Sequence, residues 1–494
     1  MRTFVEDPNA VGTGTTPGII AWTLADIVQA TSGRVLQEAE GAVFSGPSID
    51  SRTIDADQFF VALPGIHHDG HRFTPQVLAK GCRGLVVQDD RLGSLPPQAL
   101  DSRRATLVAV RDTHRALGDL AHYHRLRSGV GVVAVTGTNG KTTTKEMTAA
   151  VLGQAFATLK TRGNRNNHVG LPLTLLEVTG AHRWAVLEMG MNHPGEIRRL
   201  TEICSPDVGV ITNIGPAHLA GVGSLEGVMA AKAELLETMR EGWAVLNADD
   251  PRVMRIGSAF KGKSILFGTA GPAQVRALSV DQTEDGTRFT LALPHGQIAV
   301  RLSLHGRYMV SNALAAAATG YCLGMDPERI RTGLESCGQG PGRMHLVHLT
   351  GGIRLLDDSY NANPASVSAA IETLACLKKS ARAVLVLGDM RELGEHAASA
   401  HREMGRLAAA RGIDTLLATG DYAEFLAEGA REGGMPPGGV VTGDRDALPA
   451  LIEGRLGPGD WVLVKGSRSV GMEVVVRRLK EVFGTDPGMG EEPR

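Results

Sequence analysis

The segment Thr136-Gly137-Thr138-Asn139-Gly140-Lys141-Thr142-Thr143 constrains this 494-residue chain more than any other. It lies between a continuous apolar run at 130–135 and a helical pattern over 142–156. An apolar run without alternation is expected of a parallel strand covered on both faces. Glycines at a strand-to-helix turn let backbone N–H groups close around phosphate oxygens, and the helix N-terminus adds positive potential. Lys141 then reaches the β- and γ-phosphates, and the Thr142 hydroxyl can ligate Mg²⁺. The common spelling of such a loop has a glycine five residues before Gly140; here Val135 stands there. A plain glycine turn with a surface lysine would need neither the strand nor the helix.

The apolar runs recur at 184–187, 208–211 and 243–246 with helical patterns between them, which predicts a doubly wound, mostly parallel α/β domain over 127–340. Residues 275–304 alternate apolar and polar around Asp285-Gly286 and His295-Gly296, the pattern of antiparallel hairpins appended to that sheet. After Pro341-Gly342 a third domain, 341–494, repeats the α/β rhythm, with strands expected at 353–356, 383–387, 415–418 and 461–464. Its rhythm is Rossmann-like, but no G-x-G-x-x-G follows its first strand, so a bound NAD is not supported. The remaining 1–126 reads as a small mixed α/β domain. A helix opens there at 22–29, strands follow at 58–63 and 106–110, and a helix over 113–126 serves as connector. Roughly three domains also suit the length, at about 100–200 residues each. The 62 glycines and 23 prolines keep no three-residue period, so they mark tight loops and not a collagen.

Charge narrows the partners. Fifty-one Lys and Arg against 53 Asp and Glu give a net charge of -2, without the basic surplus of a nucleic-acid binder. An anionic ligand must therefore meet locally placed donors and metal ions. Cys82, Cys204, Cys322, Cys337 and Cys376 are scattered and odd in number, which disfavours a disulfide framework or zinc site and favours a reducing compartment. Glu6 and Asp7 stand where a signal peptide needs basic residues, and no run has the length of a membrane span. The expectation is a cytoplasmic protein without stable membrane insertion.

Two further residues fall at one sheet edge, and a third lies on a helix. Glu188 closes the apolar run at 184–187, which puts it at a carboxyl end beside the phosphate loop. A solvated glutamate at a strand terminus would look the same. His218, in Asn213-Ile-Gly-Pro-Ala-His218, follows the next strand, and Lys232 lies in a helical stretch over 225–239. By themselves these two read first as a structural or exposed histidine and a solvated helix lysine.

Together these residues resemble the ATP-dependent Mur ligase family of peptidoglycan synthesis, which carries a short G-T-N-G-K-T phosphate loop, here Gly137–Thr142 without the early glycine. The resemblance covers all three regions. Ser51-Arg52-Thr53 and Asp69-Gly-His-Arg-Phe73 are similar to the family's nucleotide-sugar-binding domain, and Asn164-Arg-Asn-Asn167-His168 to its substrate loop. Asp357-Asp358-Ser359-Tyr360-Asn361-Ala-Asn363-Pro364 and Gly388-Asp389-Met390-Arg-Glu392-Leu393-Gly394 resemble most the member that adds D-alanyl-D-alanine. The D-N-P-R motif of the sister ligase that adds the third residue does not occur.

The resemblance implies roles residue by residue. Gly137, Thr138, Asn139, Gly140, Lys141, Thr142 and Thr143 would hold ATP, with Asn312 on the nucleobase side and Arg343 and Asp358 closing over it. Thr142 and Glu188 would hold one Mg²⁺; Glu188, His218 and a carbamylated Lys232 would serve a second. Lys141, Lys232, His218 and Glu188 form the implied catalytic set. Ser51, Arg52, Asn167, His168, Tyr360, Asn361 and Asn363 would meet the substrates UDP-MurNAc-tripeptide and D-Ala-D-Ala, and the enzyme would act as a monomer. The implied chemistry is amide ligation through an acyl phosphate, which domain closure would shield from water. Its rivals are a ligase of the same architecture adding a diamino acid or glutamate, and a regulatory or transport NTPase whose turnover needs no amine acceptor.

Overall fold

The computed structural model describes residues 18, 20–100, 105–217, 219–269, 271–338 and 340–486. The chain divides into two compact units, Met1–Val130 with Pro172–Arg183, and Gly131–Leu171 with Trp184–Arg494. Among the described residues no helix is long and apolar enough to cross a membrane.

In the first unit a five-stranded sheet runs in the order Arg34–Gln37, Thr106–Val110, Gly84–Gln88, Phe59–Val61, Pro47–Ser48. Its first pair is antiparallel and the others are parallel. The helix Thr113–Ser128 starts where the Asp112 carboxylate accepts from the Arg115 N–H, and it sinks Ala116 and Leu120 against Phe59, Val61 and Val108. The helix expected to open at Trp22 instead spans Leu24–Thr31. Thr23 and Asp26 form a reciprocal capping box, which fixes the start at Leu24, two residues later, and leaves Trp22–Thr23 to pair with Val43–Phe44.

The second unit carries two sheets. The larger has nine strands, from one edge Gly296–Leu302, Gly286–Leu293, Val275–Thr283, Lys263–Gly268, Trp243–Asn247, Val208–Ile211, Gly131–Thr136, Trp184–Glu188 and Thr158–Lys160. It is parallel from Thr158–Lys160 to Val275–Thr283, and Gly286–Leu293 and Gly296–Leu302 are added as antiparallel hairpins, as their alternation predicts. Thr158–Lys160 and Lys263–Gly268 escape the sequence reading. One has only three residues at an edge, and the other opens on exposed Lys263 and Ser264. The smaller sheet runs His345–Leu349, Ile353–Asp358, Trp461–Lys465, Ala383–Leu387, Thr415–Ala418, Val440–Thr442, parallel except for its first strand. One apolar core joins the two sheets, with Val133 and Val210, Leu314 and Ala317, Val367 and Ile371, and Leu385 and Leu463 all buried in it.

Both sheets contain a crevice where consecutive loops part. In the larger sheet the chain leaves Gly131–Thr136 toward Thr158–Lys160 at one edge, while Val208–Ile211 leads toward Trp243–Asn247 on the other side. In the smaller sheet, Ile353–Asp358 feeds the helix Pro364–Lys378, which packs into the shared core. The adjacent Trp461–Lys465 feeds Glu473–Phe483, which packs into a separate core with Val475, Val476 and Leu479. Ligands of open α/β sheets bind at such switch points, outside the carboxyl ends of the strands.

Candidate active site

A cleft of about 1100 Å³ runs through the second unit from the phosphate loop to Arg391 and Arg468. At its first end Gly137 and Gly140 are required as glycines. Gly137 has φ 146°, and a Cβ there would lie 1.9 Å from Thr212 Oγ1; Gly140 has φ 81°, and its Cβ would lie 2.2 Å from Asn312 Oδ1. The turn is fastened to the next strand's exit. Thr138 Oγ1 donates to Gly215 O at 3.1 Å, Asn139 N–H donates to Asn213 Oδ1 at 2.9 Å, and Thr212 Oγ1 donates to Asn139 O at 2.6 Å. The helix Lys141–Leu152 that follows has no side chain capping its N-terminus, so its first N–H groups face the cleft. The Lys141 ammonium folds onto Gly137 O and Thr138 O at 3.0 and 3.1 Å. Burial draws its pKa down, against the pull of Glu188 and with the push of Arg343.

Glu188 ends its strand opposite Val135, only 3% exposed. Its Oε1 accepts from Asn166 Nδ2 at 2.8 Å and its N–H donates to Thr161 Oγ1 at 3.0 Å, while Oε2 is buried without a hydrogen-bond partner among the described residues. A buried carboxylate oxygen left open beside an ammonium is a ready seat for a cation. Lys232, on the helix Leu225–Thr238, is 2% exposed, and burial followed by the charge of Lys141 drives its pKa well below the ordinary lysine value. It is thus no solvated helix lysine. His218 lies outside the described residues. Among those described, no group of three His, Cys, Asp or Glu forms a ready-made metal cage.

Asn312 is buried directly behind Gly140 and accepts from Thr144 Oγ1 at 3.3 Å. Arg343 lies 4.1 Å from the ring centre of Tyr360, and Arg468 stands 5.6 Å from the same ring. Asp358 is occupied internally. Its Oδ2 accepts from Lys465 Nζ at 2.6 Å and its Oδ1 from Met344 N–H at 3.1 Å. Burial raises its pKa, with Lys465 opposing. Lys465 also donates to Asn361 O at 2.8 Å, and Asn363 Nδ2 donates to Asn139 Oδ1 at 2.7 Å. Asn167 and His168 line the cleft, with Asn167 Oδ1 accepting from Val169 and Gly170 N–H groups. Ser51 and Arg52 belong to the first unit. Ser51 donates to Gln76 Oε1 at 3.3 Å, and the exposed Arg52 guanidinium pairs with Asp50 at 2.7 Å.

Two residues that sequence reasoning passed over matter here. Lys465 closes a buried strand with a charge, a signal hidden when the strand is ended at residue 464. Asn166 was legible only as one of the three asparagines in Asn164-Arg-Asn-Asn167, and the fold selects it by bringing its amide to Glu188.

Comparison with known proteins identifies the family. Three family models match, the Mur ligase family catalytic domain at residues 44–125, the Mur ligase middle domain at 135–320, and the Mur ligase glutamate ligase domain at 342–468. The UDP-N-acetylmuramoyl-tripeptide–D-alanyl-D-alanine ligase of Escherichia coli K12 is 37% identical over 470 residues, covering 94% of this chain and 99% of its own. A crystal structure of MurF from Acinetobacter baumannii superposes with a TM-score of 0.85 at 34% identity, covering 94% of this chain and 99% of that one. The ADP complex of MurF from Thermotoga maritima follows at 0.78 and 27%, covering 88% and 97%. The chain therefore belongs to the Mur ligase family, and these full-length relatives are MurF enzymes.

Proposed function

We propose that this chain is an ATP-dependent ligase that joins D-alanyl-D-alanine to UDP-MurNAc-tripeptide. The observation that carries the reading is the open helix N-terminus at Gly140–Lys141 beside the unpartnered Oε2 of Glu188. The full-length likeness to enzymes of that name supports it. In the first step a carboxylate oxygen of the tripeptide attacks the γ-phosphorus, and the bond to the bridging oxygen breaks to release ADP. In the second the dipeptide amine attacks the acyl carbon, the bond to phosphate breaks, and the amine gives up a proton. A carboxylate and a triphosphate repel, so the protein's task is to position them and offset their charge.

The N–H groups from Gly140 onward and the Lys141 ammonium, released from its own loop carbonyls, take the phosphates. Arg343, braced on Tyr360, adds positive charge from the third domain. The donor set fits Mg²⁺, which prefers oxygen ligands and shares them with phosphates. Thr142 and Glu188 would hold one ion; Glu188, His218 and Lys232 would hold a second. Bound there, Mg²⁺ would neutralise charge on the phosphates and the acyl group. Lys232 suits its part only as a carbamate, because an ammonium cannot ligate a cation. Its depressed pKa supplies the neutral amine that adds CO₂ and loses one proton to solvent.

We assign the UDP-sugar to domain 1–126 through Ser51 and Arg52, ATP to 127–340, and the dipeptide to 341–494 through Tyr360 and Asn361. The separate family matches support this division. The odd number and scatter of the cysteines support a cytoplasmic setting, and we assign the chain a monomeric state. Phosphate release with UDP-MurNAc-tripeptide and ATP tests the reading. It should depend on D-Ala-D-Ala, and equal stimulation by a diamino acid or glutamate, or turnover without an acceptor, would overturn it.

A further inference from the structure

Asn363 does two things with one carboxamide. Its Oδ1 accepts from Ser366 N–H at 2.9 Å and caps the helix Pro364–Lys378, while its Nδ2 donates to Asn139 Oδ1 across 224 positions of sequence. The cap alone needs only an oxygen, and serine or aspartate would serve as well. The amide donor is the part that reaches the phosphate loop.

Both partners are held firmly on their own sides. The Asn139 backbone is tied to Thr212 and Asn213. The segment before Asn363 is tied to the smaller sheet, with Lys465 Nζ on Asn361 O and Ser467 Oγ on Ala362 O at 3.2 Å. Asn139 directly precedes the open N–H groups that receive phosphate, and Asn363 directly follows the loop carrying Tyr360 and Asn361. This one bond therefore links the two crevices at their mouths.

We propose that the Asn139–Asn363 hydrogen bond couples phosphate-loop occupancy to the placement of the acceptor loop, making Asn363 a positioning residue for the incoming amine. The inference rests on the ligase reading above and goes beyond it. Coupling of this kind is reciprocal, so ATP and the dipeptide should each strengthen the binding of the other through this bond.

The test uses the full chain with Asn363→Ser, which keeps a cap but loses the reach, together with Asn139→Ala and the double variant. The KM for D-Ala-D-Ala should rise roughly tenfold in each single variant, within the usual span of coupling between sites. In Asn363→Ser the melting temperature and the affinity for ATP measured without dipeptide should stay at wild-type values. The double variant should be no worse than either single one, because both remove the same interaction. Asn363→Asp keeps both cap and reach, since the Asn139 amide can rotate to donate, and should restore most of the affinity. An unchanged dipeptide KM in Asn363→Ser, or losses that add in the double variant, would overturn the coupling. A wild-type chain that forms no ADP in response to the dipeptide sinks the ligase reading itself, and this inference with it.

Discussion

The two crevices of the second unit occupy equivalent places in their sheets and use charge in opposite ways. In the larger sheet, charge is left open. The Lys141–Leu152 helix has no side chain capping its N-terminus, Glu188 keeps a buried oxygen without a hydrogen-bond partner among the described residues, and buried Lys232 is pushed further from its charged form by Lys141. In the smaller sheet, charge is spent internally. Asp358 is taken by Lys465, and the wholly buried Asp389 accepts from Asp421 and Tyr422 N–H groups and pairs with Arg391 at 3.0 Å. The first crevice is built to receive charged groups, and the second to hold a loop in shape. In a buried ion pair of this kind, removing one partner strands the other.

The contrast is sharpest at Lys141. Among the described residues its ammonium donates to carbonyls of its own loop, so Lys141→Ala should leave thermal unfolding unchanged. Dipeptide-dependent ADP release should fall on the order of 10³-fold, the scale of losing a charge-stabilising donor. Near-normal turnover would remove the phosphate-loop assignment.

Lys232 comes next. Lys232→Ala should be inactive and partly rescued by added short carboxylates, whereas a fully active variant would end the carbamate assignment. The pH dependence has a definite sign. A lysine whose folded pKa is depressed binds fewer protons when native than when unfolded, so it makes stability rise with pH between the depressed value and the ordinary one. Lys232→Met should abolish that rise and be the more stable protein near neutral pH, measured by thermal unfolding in buffer freed of CO₂.

In the second crevice the largest effect falls on stability. Lys465→Met strands the Asp358 carboxylate and should cost about 3–5 kcal/mol by chemical unfolding. Asp358 has a raised folded pKa, so its native form holds a proton more readily and its contribution declines as pH rises through that window. The Lys465→Met deficit should accordingly shrink in acid. A variant as stable as wild type at every pH would show that the pair does not shape the loop. The smallest structural effect belongs to the first unit. Arg52→Ala removes an exposed pair with Asp50 and should leave the melting temperature in place while raising the KM for the UDP-sugar substrate.

The two crevices were not equally legible in the sequence. The phosphate loop announces itself because glycine identity, strand and helix fall within a dozen residues and each demands the others. The hairpins at Asp285-Gly286 and His295-Gly296 were legible for the same local reason. Lys465 and Asp358 lie 107 positions apart, and only the parallel register that sets Asp358 beside Lys465 makes them a pair. Asn363 shows the limit from the other side. Its motif pointed to substrate, yet its side chain is committed to a helix cap and to Asn139. Short strands such as Thr158–Lys160 and Val440–Thr442 were missed because three residues at a sheet edge carry no periodicity.

The apolar core shared by the two sheets bears on how the molecule comes apart. Side chains of the helix Pro364–Lys378 and of the strands Gly131–Thr136 and Ala383–Leu387 belong to the same packed interior. Exposing one sheet would strip apolar area from the other, so the regions matched by the middle and last family models should melt together. A calorimetric scan should thus count two cooperative blocks in a chain with three family domains, the first unit being one block with cores of its own.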